Sequence, residues 1–301
     1  MNIINDVFFD VTSKCSRRKL LRGLAGAMAA GMLEPFSRPA FAESGGGRLK
    51  QSVCLWCYNG FLKRAKMGTE DFVVACAAMG LKSVELVGPD QWPMLKRHGL
   101  ICAMTPSHGI AKGINHVDNH EMCLSALRKS IDAASEAGFP NVITLSGNRE
   151  GMDDVTGLAN SVAALKQVAG YAEQKKVTIC LELLNSIDHK DYMADSTKWC
   201  VDLVRRVASP RVKILYDIYH AAMMKEDVEA DIQKHSDCFA HYHTGGMPGR
   251  NEIDGTQTLD YAKIMKAIQA TGFDGYVGQE FIPKREDALA SLKQAFDICN
   301  V

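Results

Sequence analysis

Thr178-Ile-Cys-Leu-Glu182, Val212-Lys-Ile-Leu-Tyr-Asp217, Phe239-Ala-His-Tyr-His243 and Tyr276-Val-Gly-Gln-Glu280 are four short runs that each end in a metal-ligand side chain. Their terminal residues are spaced by 35, 26 and 37 positions. One strand-plus-helix unit of a closed parallel barrel takes roughly 30 residues, because about 250 residues make eight of them. The four residues therefore recur at the barrel period and fall at the carboxyl ends of consecutive strands. That is the face on which such a barrel carries its chemistry. Three carboxylates and one imidazole form a hard, oxygen-rich donor set. It suits Mn²⁺ or Mg²⁺, with Zn²⁺ or Co²⁺ as further candidates.

The rest of the chain supplies the other units. Strand patterns at 53–56, 83–87, 100–104 and 141–145 precede the four, and helical patterns alternate with them at 69–80, 92–98, 119–137, 155–174, 196–207, 227–235, 260–271 and 286–299. Thr69-Glu-Asp gives the first helix an N-cap and an acidic first turn, and Gly80 and Gly138 stop two of the helices. The apolar strand runs suit strands buried on both faces. Eight such units in order specify the α/β class and a (β/α)8 TIM barrel, a single domain over residues 51–301. An open doubly wound sheet is the alternative, and no Gly-x-Gly-x-x-Gly turn follows an early strand to support it.

Composition is ordinary for a globular protein: 301 residues, 47% hydrophobic and 23% charged. Lys+Arg and Asp+Glu balance at 35 each, and no basic stripe appears, which argues against nucleic acid as a partner. The expected partner is a small molecule, and a homo-oligomer is compatible with these features.

Residues 1–42 read as a targeting segment. Ser16-Arg17-Arg18-Lys19-Leu20-Leu21 is a twin-arginine pattern, followed by a mildly apolar stretch from Leu24 to Leu33 and by Ala40-Phe41-Ala42, with small residues where a signal peptidase reads. The apolar run is too short for a permanent membrane anchor. We expect a Tat signal, cleaved after Ala42, a linker over 43–50 and a periplasmic barrel. The alternative is an uncleaved or membrane-associated leader. Of ten cysteines, Cys54, Cys76, Cys180 and Cys200 fall in expected strands or helices and read as small buried apolar groups. Cys54-Leu-Trp-Cys57 has redox-motif spacing but lies on a strand, not at the helix start where a thiolate is stabilised.

Glu182 sits between apolar neighbours, where an unpaired buried charge costs several kcal/mol, roughly speaking. A metal would neutralise it; a salt bridge to the next strand is the plainer alternative. Asp217 follows the same logic. His220, three residues on, reads as a substrate-facing group or a satisfied core histidine. His241 and His243 share one side of a strand because side chains alternate. His243, nearer the open end, is the expected ligand, and His241 packs one layer deeper. Arg250, just after strand seven, is placed to clamp a substrate carboxylate. His108 and Glu85 are further candidates for substrate contact, Glu85 through a basic group such as Arg250. Trp56 and Tyr58 either wall the pocket or belong to the core.

At these residues the chain resembles the hydroxypyruvate isomerase family of the xylose isomerase-like barrel superfamily. The resemblance lies in Leu181-Glu-Leu-Leu-Asn185, Leu215-Tyr-Asp-Ile-Tyr-His220, the Pro248-Gly-Arg-Asn-Glu252 loop and Gly275-Tyr-Val-Gly-Gln-Glu280, and it covers nearly all of 51–300. It implies a divalent metal on Glu182, Asp217, His243 and Glu280, with Glu182 and Glu280 as the acid/base pair. Substrate would be an α-hydroxy carbonyl compound, a hydroxy-keto acid or a sugar, reacting through an enediolate. Two positions depart from the isomerase pattern: His243 stands where Gln is usual, and Leu183 where Pro is usual. A His at 243 is similar to the ketose 3-epimerases of the same superfamily. A non-catalytic sugar- or metal-binding barrel is a third reading. A nuclease of the related barrel type would want more histidine ligands and a basic surface.

Overall fold

The computed structural model describes residues 49–301. The expected signal and most of the expected linker lie outside the described residues. Eight strands run β1 (Lys50–Cys54), β2 (Ser83–Glu85), β3 (Met104–Thr105), β4 (Asn141–Thr144), β5 (Thr178–Glu182), β6 (Val212–Asp217), β7 (Phe239–Thr244) and β8 (Tyr276–Gln279). They pair in parallel in the order β2-β1-β8-β7-β6-β5-β4-β3. The sheet closes between its two ends through a Ser83–Ile101 bridge. The amides of Val84 and Leu86 add bonds to the carbonyls of Ile101 (3.1 Å) and Met104 (2.9 Å). The expected (β/α)8 barrel is the fold observed.

The helices are α1 (Asn59–Ala65), α2 (Thr69–Met79), α3 (Trp92–Arg97), α4 (His120–Ala137), α5 (Asp154–Lys175), α6 (Thr197–Val207), α7 (Ile218–Met223), α8 (Val228–His235), α9 (Tyr261–Ala270) and α10 (Ala288–Cys299). Their starts are chemically marked. The Asp153 carboxylate accepts from the amides of Val155 and Thr156, both at 2.9 Å, and Asp287 does the same for Ala290 at 2.9 Å. Gly138 ends α4 with φ +76, a left-handed turn that costs glycine little.

Departures from the expected boundaries have local causes. β3 is two residues, not five, because the Ser83 hydroxyl takes the Ala103 amide (2.8 Å) where a strand carbonyl would sit. β1 ends early because Leu55–Tyr58 turns into a 3-10 helix. The short α1 and α7, of 7 and 6 residues, start directly after the 3-10 turn and after β6, with no turn residues to mark them in the sequence. α7 starts directly after β6, where Asp217 caps it by accepting from the His220 amide at 3.2 Å.

Strand residues such as Val142, Ile179, Leu181, Ile214 and Val277 are fully buried. This is the two-sided burial of a parallel barrel strand. The nine cysteines among the described residues are all buried and free, Cys54 and Cys57 included. No helix among the described residues is long and apolar enough to cross a membrane.

Candidate metal centre

Strand lengths and register bring the four quoted run-ends together. Glu182 and Asp217 close β5 and β6, His243 is the penultimate residue of β7, and Glu280 follows β8 directly. Asp217 pairs in register with His243, and His243 with Gly278. One ligand atom from each of Glu182, Asp217, His243 and Glu280 lies within 4.8 Å of all the others. All four side chains are buried.

The His243 ring tests whether this cluster fits a cation. Its Nδ1 lies 2.7 Å from Oε2 of Glu280 and 3.5 Å from Oε1 of Glu182. It makes no aligned hydrogen bond to either and is a buried polar atom without a partner. A buried nitrogen aimed among carboxylate oxygens, yet bonded to none, is what a ligand nitrogen of a metal centre looks like. Charge agrees. Metal ligands bind deprotonated, and in that state three carboxylates and the Arg250 guanidinium leave two negative charges around a neutral imidazole, which a divalent cation balances. The residues present fit the metal.

Electrostatics within the cluster are strongly perturbed. Burial, with Glu280 adding and Arg250 opposing, pushes the Asp217 carboxyl up to about 7. Burial also raises Glu182, against its contact with His243. Glu280 is buried too, but Arg250 and His243 hold its carboxyl well below the usual range. Burial disfavours a charged His243, yet Glu280 and Cys54 hold its pKa well above that of a free imidazole. Such a set of perturbed groups in one place is typical of a functional site.

Arg250 reaches the centre from the β7–α9 loop. Its Nη2 donates to Oδ2 of Asp217 (3.0 Å) and Oε2 of Glu280 (2.5 Å), and its guanidinium carbon lies 5.4 Å from the Trp56 ring centroid and 5.6 Å from that of Tyr219. Its backbone is left-handed, φ +56, a conformation that costs a non-glycine residue about 1–3 kcal/mol. The Gly246–Asn251 bridge and the Ile282 amide, which donates to the Arg250 carbonyl at 2.6 Å, hold that shape. Gly245 makes room, since a Cβ there would lie 3.0 Å from Cγ of Arg250.

The other sequence candidates fall at different depths. His220 is fully buried. Its Nδ1 accepts from the Asn185 amide (3.1 Å) and side chain (2.5 Å), and its Nε2 faces Oδ2 of Asp217 at 3.6 Å without a hydrogen bond. His108 is bound to Thr144 Oγ1 (2.9 Å), and burial lowers its pKa to about 4. Glu85 does not pair with Arg250. It lies in the barrel interior, fully buried, with its Oε2 taken by His241 and His243. The sequence placed Glu85 at the substrate because the interior partners, 156 and 158 residues away, are invisible to local pattern. Trp56 walls the centre, and its indole N–H donates to Oε1 of Glu280 at 2.9 Å. Tyr58 belongs to the core, fully buried against Phe72 and Phe281.

Three residues were missed. Asn185 fixes the His220 ring and accepts from the amides of Ile187 and Asp188. Asp188 accepts from the Tyr219 hydroxyl at 2.7 Å. Cys54, at the end of β1, lies 3.7 Å from Nε2 of His243. Cys54 fell inside the expected strand 53–56 and not at its end, because the sequence does not show that β1 stops at Cys54; the Asn-x-x-Asp turn carried no comparable signal.

Residues 73–299 match the model of a family described as xylose isomerase-like TIM barrel. Among curated proteins, the chain is 26% identical over 160 residues to a putative hydroxypyruvate isomerase of Drosophila melanogaster, covering 53% of this chain and 61% of that one. It is 23% identical over 179 residues to the putative human hydroxypyruvate isomerase, 57% of this chain and 65% of that one. It is 27% identical over 141 residues to a D-psicose 3-epimerase of Ruminiclostridium cellulolyticum, 46% of this chain and 47% of that one. The chain thus spans less than two thirds of these relatives' length. Among solved structures, an AP endonuclease, family 2, of Brucella melitensis superposes with a TM-score of 0.72 at 21% identity, over 81% of this chain and 97% of that one. At such identity the likeness speaks for the barrel fold alone.

Proposed function

The chain belongs to the xylose isomerase-like TIM-barrel family, and we propose that it is a metal-dependent isomerase of an α-hydroxy carbonyl compound, interconverting hydroxypyruvate and tartronate semialdehyde through an enediolate. The observation that carries this reading is the convergence of two glutamates, Glu182 and Glu280, with Asp217 and His243 at the strand ends, beside the Arg250 guanidinium. The relatives named as putative hydroxypyruvate isomerases support it.

Glu182, Asp217, His243 and Glu280 would hold a divalent cation, Mn²⁺ or Mg²⁺ by the hardness of the donors and Zn²⁺ or Co²⁺ as alternatives. Such a cation supplies Lewis-acid stabilisation of the charge that develops on substrate oxygens. The residues do the rest. One glutamate takes the carbon-bound proton, and the other returns a proton to the neighbouring carbon or oxygen. Trp56 fixes the direction of the Glu280 carboxylate through its indole N–H. Arg250 donates to the carboxylate of an acid substrate. In this reading His220, next to Asp217, and His108, after β3, would meet substrate hydroxyls.

A second reading is epimerisation of a free ketose at carbon 3. The imidazole of His243 among the donors favours it, and a relative named D-psicose 3-epimerase supports it. A substrate panel separates the two. Turnover of hydroxypyruvate, abolished by chelator and restored by Mn²⁺, is the expected result; turnover confined to neutral ketoses would transfer the assignment to the epimerase reading. We also propose that residues 1–42 direct export by the Tat pathway to the periplasm, so that the folded barrel crosses with its metal already in place.

A further inference from the structure

Glu85 lies behind His243, on the side away from the metal-ligand cluster. Its Oε2 is 2.9 Å from Nε2 of His241 and 3.1 Å from Nε2 of His243, and the Ser52 hydroxyl donates to its Oε1. Glu85, Ser52, His241 and His243 are all fully buried. A carboxylate stripped of water at this depth costs several kcal/mol, roughly, unless donors surround it. Here three donors converge on it from β1 and β7.

An ionised carboxylate only accepts hydrogen bonds. The Nε2 of His243 therefore carries a proton, and Nδ1 is the nitrogen that would give up its own proton and offer a lone pair to a cation. That Nδ1 is the buried, unpartnered atom aimed at Glu280 and Glu182. His241 is held in the same sense, with the Asn141 side-chain amide 3.5 Å from its Nδ1 and its Nε2 towards Glu85. β8 leaves space for the arrangement. A Cβ on Gly278 would lie 2.8 Å from Cδ2 of His243 and 3.2 Å from both oxygens of Glu85.

Resting on the metal-centre reading of the same site, we propose that Glu85 is a positioning residue: it locks His243 in the Nε2–H tautomer and turns Nδ1 to the metal. Carboxylates in this relation to a ligand histidine orient the ring and raise its basicity, and their loss weakens metal binding by roughly 10- to 100-fold.

The test is a metal titration by Mn²⁺ EPR on the full barrel, with Glu85→Gln, Ser52→Ala and Glu182→Gln beside the unmodified protein. The expected result is one equivalent of Mn²⁺ bound by the unmodified protein, and a Kd raised roughly 10- to 100-fold in Glu85→Gln. Ser52→Ala, a milder change to the same carboxylate, gives a smaller rise. Glu182→Gln separates the two levels of the argument. If it also leaves the affinity unchanged, the metal-centre reading fails and the role of Glu85 falls with it. If Glu182→Gln weakens binding while Glu85→Gln does not, only the role of Glu85 is overturned. A second equivalent of Mn²⁺ that disappears in Glu85→Gln would also overturn it, by making Glu85 a ligand. ¹⁵N imidazole NMR of the unmodified, Mg²⁺-loaded protein does not depend on Glu85→Gln folding, and His243 is assigned by the signal lost in His243→Gln. It should find His243 protonated at Nε2 only; a proton on Nδ1 overturns the proposal.

Discussion

The two ring nitrogens of His243 face two different carboxylates: Nε2 stands 3.1 Å from Oε2 of Glu85, and Nδ1 stands 2.7 Å from Oε2 of Glu280. One face of the ring belongs to the barrel interior and the other to the candidate metal centre. The imidazole thus couples packing to chemistry, and changes in the interior should be felt at the strand ends.

Gly278→Ala tests that coupling. The added methyl would meet the His243 ring edge at 2.8 Å. Overpacking of this kind costs about 1–3 kcal/mol. We expect the unfolding free energy to fall by that amount and Mn²⁺ affinity to fall with it. Loss of stability at unchanged affinity would show that the ring has room to move without disturbing the centre.

Arg250→Ala should separate acid from neutral substrates. A hydrogen bond to a charged group contributes about 1.5–3 kcal/mol, so kcat/KM for hydroxypyruvate should fall roughly 10- to 100-fold. Arg250→Lys should recover only part of this, because a lysine offers no planar fork. For a neutral ketose the loss should be at least about tenfold smaller. Equal losses on both would limit Arg250 to its contacts with Asp217 and Glu280.

His108 gives a pH signature outside the metal ligands. Burial lowers its pKa from 6.5 to about 4. Between those values the unfolded chain binds the proton and the folded chain does not, so stability rises with pH in that window. The contribution is fully present above pH 6.5 and is lost as pH falls towards 4. The full shift corresponds to roughly 3 kcal/mol. His108→Gln, which keeps a partner for Thr144, should show a flatter dependence of unfolding free energy on pH over this range. Parallel curves for both proteins would contradict the assignment.

Export has a direct assay. Replacing Arg17 and Arg18 by lysine should retain the protein in the cytoplasm, with the barrel folded and no shortening at Ala42. Continued appearance of a shortened form in the periplasm would rule out the Tat route.

Much of this was legible because barrel strands are short and periodic. Glu182, Asp217, His243 and Glu280 could be aligned from the sequence because each ends an apolar run, and the structure brings those four ends together. Relations across the barrel lumen were not legible. Glu85 on β2 meets His241 and His243 on β7, and no local pattern links residues so distant in sequence. Loop shape was equally hidden. The direction of Arg250 depends on a left-handed backbone and on the absence of a Cβ at Gly245, neither of which leaves a periodic trace. The helix after Asp217 escaped notice because it starts directly on the last residue of β6, with no turn residues between to mark its start.

Proton exchange tests the central claim most directly. The Mn²⁺-loaded barrel is incubated with hydroxypyruvate, and separately with a panel of free ketoses, in D₂O and followed by NMR. The account expects deuterium to enter hydroxypyruvate as tartronate semialdehyde appears, with Glu182→Gln and Glu280→Gln slower by roughly 10²- to 10⁴-fold. Exchange in ketoses alone would contradict the hydroxypyruvate assignment, and exchange in none would contradict an enediolate isomerase altogether.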